Sequence, residues 1–113
     1  MNFRPELAAR VMTGEKTVTR RLVSDNPRSP WYWERCALKV GCDYAVCPGR
    51  GKTAIGRVLV THVELRRLGH VHAAEAAREG FPSPADFEDA FAGINGSYNP
   101  DAKVWRIEFE VAT

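Results

Sequence analysis

The sequence has little that would commit it to a membrane, to export or to a metal. It has no run of about eighteen apolar residues for a spanning helix, and its first residues, MNFRPELAARVMTG, lack the basic-then-apolar layout of a secretory leader. A cytoplasmic location without membrane association is the expectation. Cysteine is scarce and odd in number. Cys36, Cys42 and Cys47 cannot close a disulfide framework among themselves, and free thiols are expected. Their spacing, even with His62, His70 and His72 added, matches none of the tight CxxC knuckles of zinc sites, so no metal and no other cofactor is expected. A Walker-type phosphate loop is missing too. CPGRGKT ends in the right letters, but Val46 stands where that motif needs glycine, and the following AIGRVLV has a strand pattern rather than a helical one. What remains of that segment is a basic hairpin tip able to touch phosphate. Repeats and low-complexity tracts are also absent, so a single domain over residues 1–113 is expected.

What is present is enough for one compact core: 113 residues, of which 44% are hydrophobic. The overall charge of +2 hides an asymmetry. Residues 1–57 hold 11 Lys+Arg against 5 Asp+Glu, and residues 58–113 hold 5 against 9, giving +6 and −4. The first half is where a polyanion would be attracted.

Local patterns predict an α+β fold, three helices with four strands. Pro5 at a first helical position, Glu6 behind it and Leu7 with Val11 on one face predict a helix that Gly14 ends. TVTRRLV is β-branched and reads as a short strand, and NPRSPWYWERC, with two prolines and three aromatics, reads as a loop. LKVGCDYAV and KTAIGRVLVTHVEL form a hairpin about PGRG. In the second of these, Ile55, Leu59, Val63 and Leu65 share one parity and Val58 and Val60 the other, which predicts burial on both faces, as in a small barrel with helices outside it. HAAEAAREG and SPADFEDAFAGIN predict two further helices, the second capped by Ser83 and burying Phe87, Phe91, Ala90 and Ile94. VWRIEFEVA alternates, predicting Trp105, Ile107, Phe109 and Val111 inward and Arg106, Glu108 and Glu110 outward.

The stretch GEKTVTRR concentrates the chemistry. Gly14, Lys16 and Arg21 meet the pattern Gly-x-Lys-x-x-x-x-Arg, followed by Lys39-Val40-Gly41-Cys42-Asp43, by Glu79-Gly80-Phe81 with Phe87, and by Phe109-Glu110. In that order these segments resemble the ASCH domain family, small proteins with a fold related to the PUA RNA-binding domain. The resemblance covers most of the chain and implies a small mixed β-barrel with about three helices. It also implies binding of RNA or a nucleoside-like ligand. One branch of the family removes the acetyl group from acetylated cytidine with a threonine, a lysine and a glutamate, which map onto Thr19, Lys16 and Glu79. Other members are linked to RNA cleavage, and a non-catalytic RNA-binding module is the alternative. The aromatic loop PRSPWYW and the second arginine, Arg20, depart from the amidohydrolase branch.

The chemistry implied by the resemblance makes definite demands. A threonine attacks an amide only with a base within hydrogen-bond reach, and a lysine is a base only when burial or neighbouring cations such as Arg20 and Arg21 lower its pKa. Glu79, at a helix C-terminus, sits at the negative end of the dipole, which suits an acid that protonates a leaving amine. Arg21 can neutralise an oxyanion or bind phosphate bidentately. Gly14 and Thr17, which shape the turn, are expected with Arg20 and Arg21 among the ligand-binding residues; Trp31, Trp33 and Tyr98 either join them by stacking on bases or anchor the core. Lys16 and Thr19, three apart, would face opposite sides of one strand, so the site requires a turn that brings them together.

Overall fold

The computed structural model describes residues 1–112. Seven elements follow one another: helix α1 (Pro5–Thr13), strands β1 (Val18–Leu22), β2 (Asp43–Val46) and β3 (Gly56–Arg67), helices α2 (Ala73–Arg78) and α3 (Pro84–Asn95), and strand β4 (Lys103–Val111). The strands form one curled antiparallel sheet in the order β1-β4-β3-β2. It is an open half-barrel, in which two isolated bridges, Asn2 to Cys47 and Ser24 to Tyr32, are the parallel pairings. No helix among the described residues is long and apolar enough to cross a membrane.

The helix ends follow from their capping residues. Gly14 takes φ 83° and its N–H donates to the Val11 carbonyl, ending α1 as a residue with a Cβ would not readily do. Ser83 caps α3 by accepting from the Asp86 N–H at 3.2 Å while its own hydroxyl donates to the Asp86 carboxylate at 2.8 Å. His72 caps α2, its ring accepting from the Glu75 N–H.

Two apolar clusters hold the fold together. One joins Phe3, Leu7 and Val11 to Val46, Val58, Val60, Ile107 and Phe109, placing α1 on one face of the sheet. The other gathers Leu68, Val71, Ala76, Phe87, Phe91 and Val104 around α3, and Phe81 touches both. The aromatic loop is tied to the first cluster by Trp105, whose indole N–H donates to the carbonyls of Trp31 and Tyr32 at 3.2 Å.

Three burial expectations are corrected. Strand β3 is not covered on both faces: Val58 and Val60 are buried, whereas Ile55 and Leu65 are exposed. A bulge between Val60 and His62 sets Val60 opposite Phe109 and Val63 opposite Ile107, so both valines face the same core despite their opposite parity. Arg106, expected outward, is buried, because α2 covers the second face of β4 and supplies Glu75 to it. Ile94 is exposed at the end of α3 rather than packed with Phe87 and Phe91.

Candidate functional site

Residues 14–17 form a turn between α1 and β1. The Lys16 N–H donates to the Arg10 carbonyl of α1 at 3.0 Å, and the Thr17 N–H donates to the Arg78 carbonyl of α2 at 2.8 Å. Lys16 is therefore outside β1, which begins at Val18, and its direction is set by the turn rather than by the strand's alternation. Gly80, at φ 93°, leaves room beneath it: a Cβ there would stand 3.2 Å from the Lys16 Cβ. The Arg10 guanidinium closes this corner by donating to the Gly80 carbonyl at 2.6 Å.

The Lys16 ammonium reaches three acceptors, the Val18 carbonyl at 2.7 Å and the Glu79 carbonyl and carboxylate Oε1, both at 2.8 Å. Its three protons are thus all donated. The other Glu79 oxygen accepts from Arg20 at 2.9 Å. Lys16 and Glu79 are each only 2% exposed, so this is an ion pair removed from water. Burial pushes the Lys16 pKa down from the ordinary lysine value, opposed by the Glu79 carboxylate and reinforced by Arg21 and Arg20. Glu79 is the C-cap of α2, and its carboxylate faces two cations rather than the helix end alone.

A cleft of about 670 Å³ opens over these groups and is lined by Lys16, Thr19, Arg20, Arg21, Trp31 and Glu79. Strand β1 is the sheet edge, which is why both of its faces contribute. Thr19 pairs with Ile107 and Arg20 with Arg106, so they project to opposite faces, yet both reach the cleft around the free edge. Phe3 from the N-terminal segment and Phe81, Phe87 and Phe91 from the α3 side supply apolar walls.

Gly14, Thr17, Trp33 and Tyr98 lie away from this cleft. Gly14 ends α1, the Thr17 carbonyl accepts from the Phe109 N–H, and the Tyr98 hydroxyl donates to the Gly69 carbonyl within the second cluster. Trp33 is half exposed beside Leu22 and Asp25. Arg20 reaches the cleft but is committed to carboxylates, Glu79 and, at 3.6 Å, Glu75.

Sequence reading missed Glu75 and Arg106, the layer behind Arg20. Glu75 accepts from Arg106 at 2.7 Å, and Arg106 also donates to Glu108 at 2.7 Å, which in turn meets Arg78 at 3.0 Å. A signal for Glu75 exists: it precedes Glu79 by four residues, one turn along the same face of α2. Arg4 and Arg50 also line the cleft. Arg50 was legible as a basic hairpin tip, whereas Arg4 carries no local signal.

The fold and the cleft define the class: a small α+β protein whose curled sheet presents a basic cleft at an edge strand. A family model described as the ASCH domain matches residues 1–113, and the chain belongs to that family. Among solved structures it is similar to an ASCH domain from Lactobacillus crispatus, with 21% identity over 94% of this chain and 70% of that one and a TM-score of 0.72. A protein from Enterococcus faecalis V583 is similar at 21% identity, 95% and 70% coverage and a TM-score of 0.64. A variant of the ASCH protein from Zymomonas mobilis follows at 18% identity, 98% and 68% coverage and a TM-score of 0.61. Such identities establish the shared fold. No curated protein matches in sequence.

Proposed function

We propose that the cleft binds a modified pyrimidine nucleoside unit and hydrolyses an amide on its exocyclic amine, as acetylcytidine amidohydrolases do. The observation that carries this reading is the buried Lys16–Glu79 pair opening into the same cleft as the Thr19 hydroxyl. Proton transfer along the 2.8 Å hydrogen bond from Lys16 to Glu79 turns the ion pair into an amine and a carboxylic acid, the base and the acid that the reaction needs. A ligand that expels water from the cleft favours that neutral pair, because desolvation disfavours both charged forms. The Lys16 amine then takes the Thr19 proton as the oxygen attacks the acyl carbon. Glu79 protonates the departing amine, and water releases the acyl group from Thr19. Arg20 keeps its hydrogen bond to the other Glu79 oxygen and so holds the carboxyl group in place.

The test is incubation with N4-acetylcytidine and chromatographic detection of cytidine. Lys16→Ala, Thr19→Ala and Glu79→Gln are each expected to lower turnover by about a hundredfold or more. Turnover in Thr19→Ala equal to the parent would refute the assignment.

A second reading is a binding module for single-stranded RNA without chemistry. It is favoured by the three satisfied donors of Lys16, which suit a structural staple as well as a reacting pair. This reading expects RNA binding that weakens with salt, intact RNA afterwards and no cytidine released. RNA shortened on a gel would instead point to cleavage.

A further inference from the structure

The cations of the cleft fall into two groups. Lys16 and Arg20 are matched by carboxylates. Arg4, Arg21 and Arg50 are not: among the described residues, none of them forms a salt bridge. Glu79 is the only acid of the lining, so five cations stand against one carboxylate, a net of +4. Apolar walls and an electropositive mouth suit a ligand with a flat apolar part and a compact anionic part.

Arg21 is the best-built of the three. Its guanidinium lies against the rings of Phe3 and Trp31, 5.1 and 5.5 Å from their centroids, and Nη2 donates to the Asn2 carbonyl at 2.8 Å. The stacking fixes the guanidinium plane. Nε is buried without a partner, and Nη1 carries no hydrogen bond among the described residues. Burial lowers the Arg21 pKa from the ordinary arginine value, opposed by the Glu79 carboxylate, which forms no salt bridge with it. Arg4 precedes α1, and its Nη2 comes within 3.6 Å of where a Cβ on Gly93 of α3 would stand, so it reaches across the cleft edge. Arg50 arrives from the β2–β3 turn. Three separate segments thus bring an unpaired arginine to one opening.

We propose that these arginines form a phosphate subsite, with Arg21 as its fixed donor and Arg4 and Arg50 as its exposed flanks. The ligand is then a phosphorylated nucleoside unit rather than a free nucleoside. This rests on the reading of the cleft as a nucleoside site. The phosphate comes either from a mononucleotide or from the backbone of a single-stranded RNA, and the shared chemistry is the phosphate oxygens that a guanidinium takes bidentately.

Titration calorimetry with N4-acetylcytidine and its 5′-monophosphate tests the subsite directly. The monophosphate is expected to bind about tenfold to a hundredfold more tightly, with an advantage that shrinks as salt rises. Arg21→Gln is expected to abolish the advantage. If that variant fails to fold, the double variant Arg4→Gln/Arg50→Gln decides, since both side chains are exposed and leave the core intact. A single-stranded tetranucleotide without terminal phosphates separates the sources: binding tighter than the monophosphate assigns the subsite to an RNA backbone, and weaker binding assigns it to a mononucleotide. Equal affinity for nucleoside and monophosphate, or an advantage that survives the arginine substitutions, overturns the phosphate subsite and leaves the nucleoside reading standing. Arginine-dependent binding of the monophosphate without hydrolysis upholds the subsite and overturns the chemistry. Absence of binding by nucleoside, monophosphate and tetranucleotide alike overturns both.

Discussion

Replacing Glu79 by Gln tests whether the site is organised around a buried charge pair. The substitution keeps the size of the side chain but leaves Lys16 and Arg20, whose side chains are only 2% and 5% exposed, without their common counter-charge. Removing one partner of a buried pair typically costs about 3 to 5 kcal/mol, against a total stability of about 5 to 15 kcal/mol for a domain. In thermal unfolding this corresponds to a drop of roughly 10 to 20 °C for a chain of this size. Lys16→Met removes the other partner and strands the Val18 and Glu79 carbonyls, a loss of about 2 to 4 kcal/mol. The double variant is expected to lose less than the sum of the two, by about 1 to 3 kcal/mol, because the second change removes an already unpaired group. Urea unfolding followed by tryptophan fluorescence measures all three. Losses that add to within about 0.5 kcal/mol would refute the coupling.

The same variants carry a pH signature. The folded Lys16 pKa lies below the ordinary lysine value of about 10.4, so between the two values the unfolded chain binds more protons than the folded one. Stability contributed through Lys16 therefore rises with pH across that window. It is constant below the folded value, where both states are protonated. Subtracting the pH profile of Lys16→Met from that of the parent isolates this rise, free of Cys36 and Tyr98, whose burial-raised pKa values work in the opposite direction at alkaline pH. In Glu79→Gln the support of the carboxylate is gone and the window opens further down. From neutral pH upward the deficit of that variant is expected to shrink as its unsupported Lys16 sheds its proton; a deficit that grows with pH over that range would contradict the assignment.

Other predictions follow from single contacts. Gly80→Ala places a Cβ at φ 93° and 3.2 Å from the Lys16 Cβ, so it should lose about 1 to 2 kcal/mol in urea unfolding and lower turnover by displacing Lys16. Arg106→Leu leaves Glu75 with only the 3.6 Å contact to Arg20, and should cost about 3 kcal/mol, partly recovered by adding Glu75→Leu. Iodoacetamide at neutral pH should label exposed Cys42 well before buried Cys36, whose thiol burial pushes up; equal rates by mass spectrometry would contradict that environment.

The elements were legible where local chemistry decides them. Pro5 and Gly14 bound α1, Ser83 caps α3, and the alternation of Ile107 and Phe109 places them in the core. What local periodicity could not show was the neighbour that changes the meaning of a face. Thr61 is the extra residue of the β3 bulge, and it turns two parities into one buried face, so Val60 and Val63 share a core that strict alternation divides between two. Arg106 looks like a solvent residue in a half-buried strand until α2 is laid across that side of the sheet and brings Glu75 to meet it.

The site itself depends on residues just outside the regular elements, and this is why periodicity misjudged its geometry. Lys16 stands two residues before β1, and Glu79 is the cap that ends α2, sixty-three positions away. Neither side chain takes its direction from a strand period of two or a helix period of 3.6. Both take it from hydrogen bonds across the junction of α1 and α2: backbone bonds from Lys16 N–H to Arg10 and from Thr17 N–H to Arg78, and the Arg10 guanidinium to the Gly80 carbonyl. Strand alternation therefore does not decide how Lys16 and Thr19 stand to one another. Lys16 is not in the strand, and Thr19 is on an edge strand around which both faces open into one cleft. A change that extended β1 back through Lys16 would restore the alternation and disperse the site while leaving every one of its side chains in the sequence.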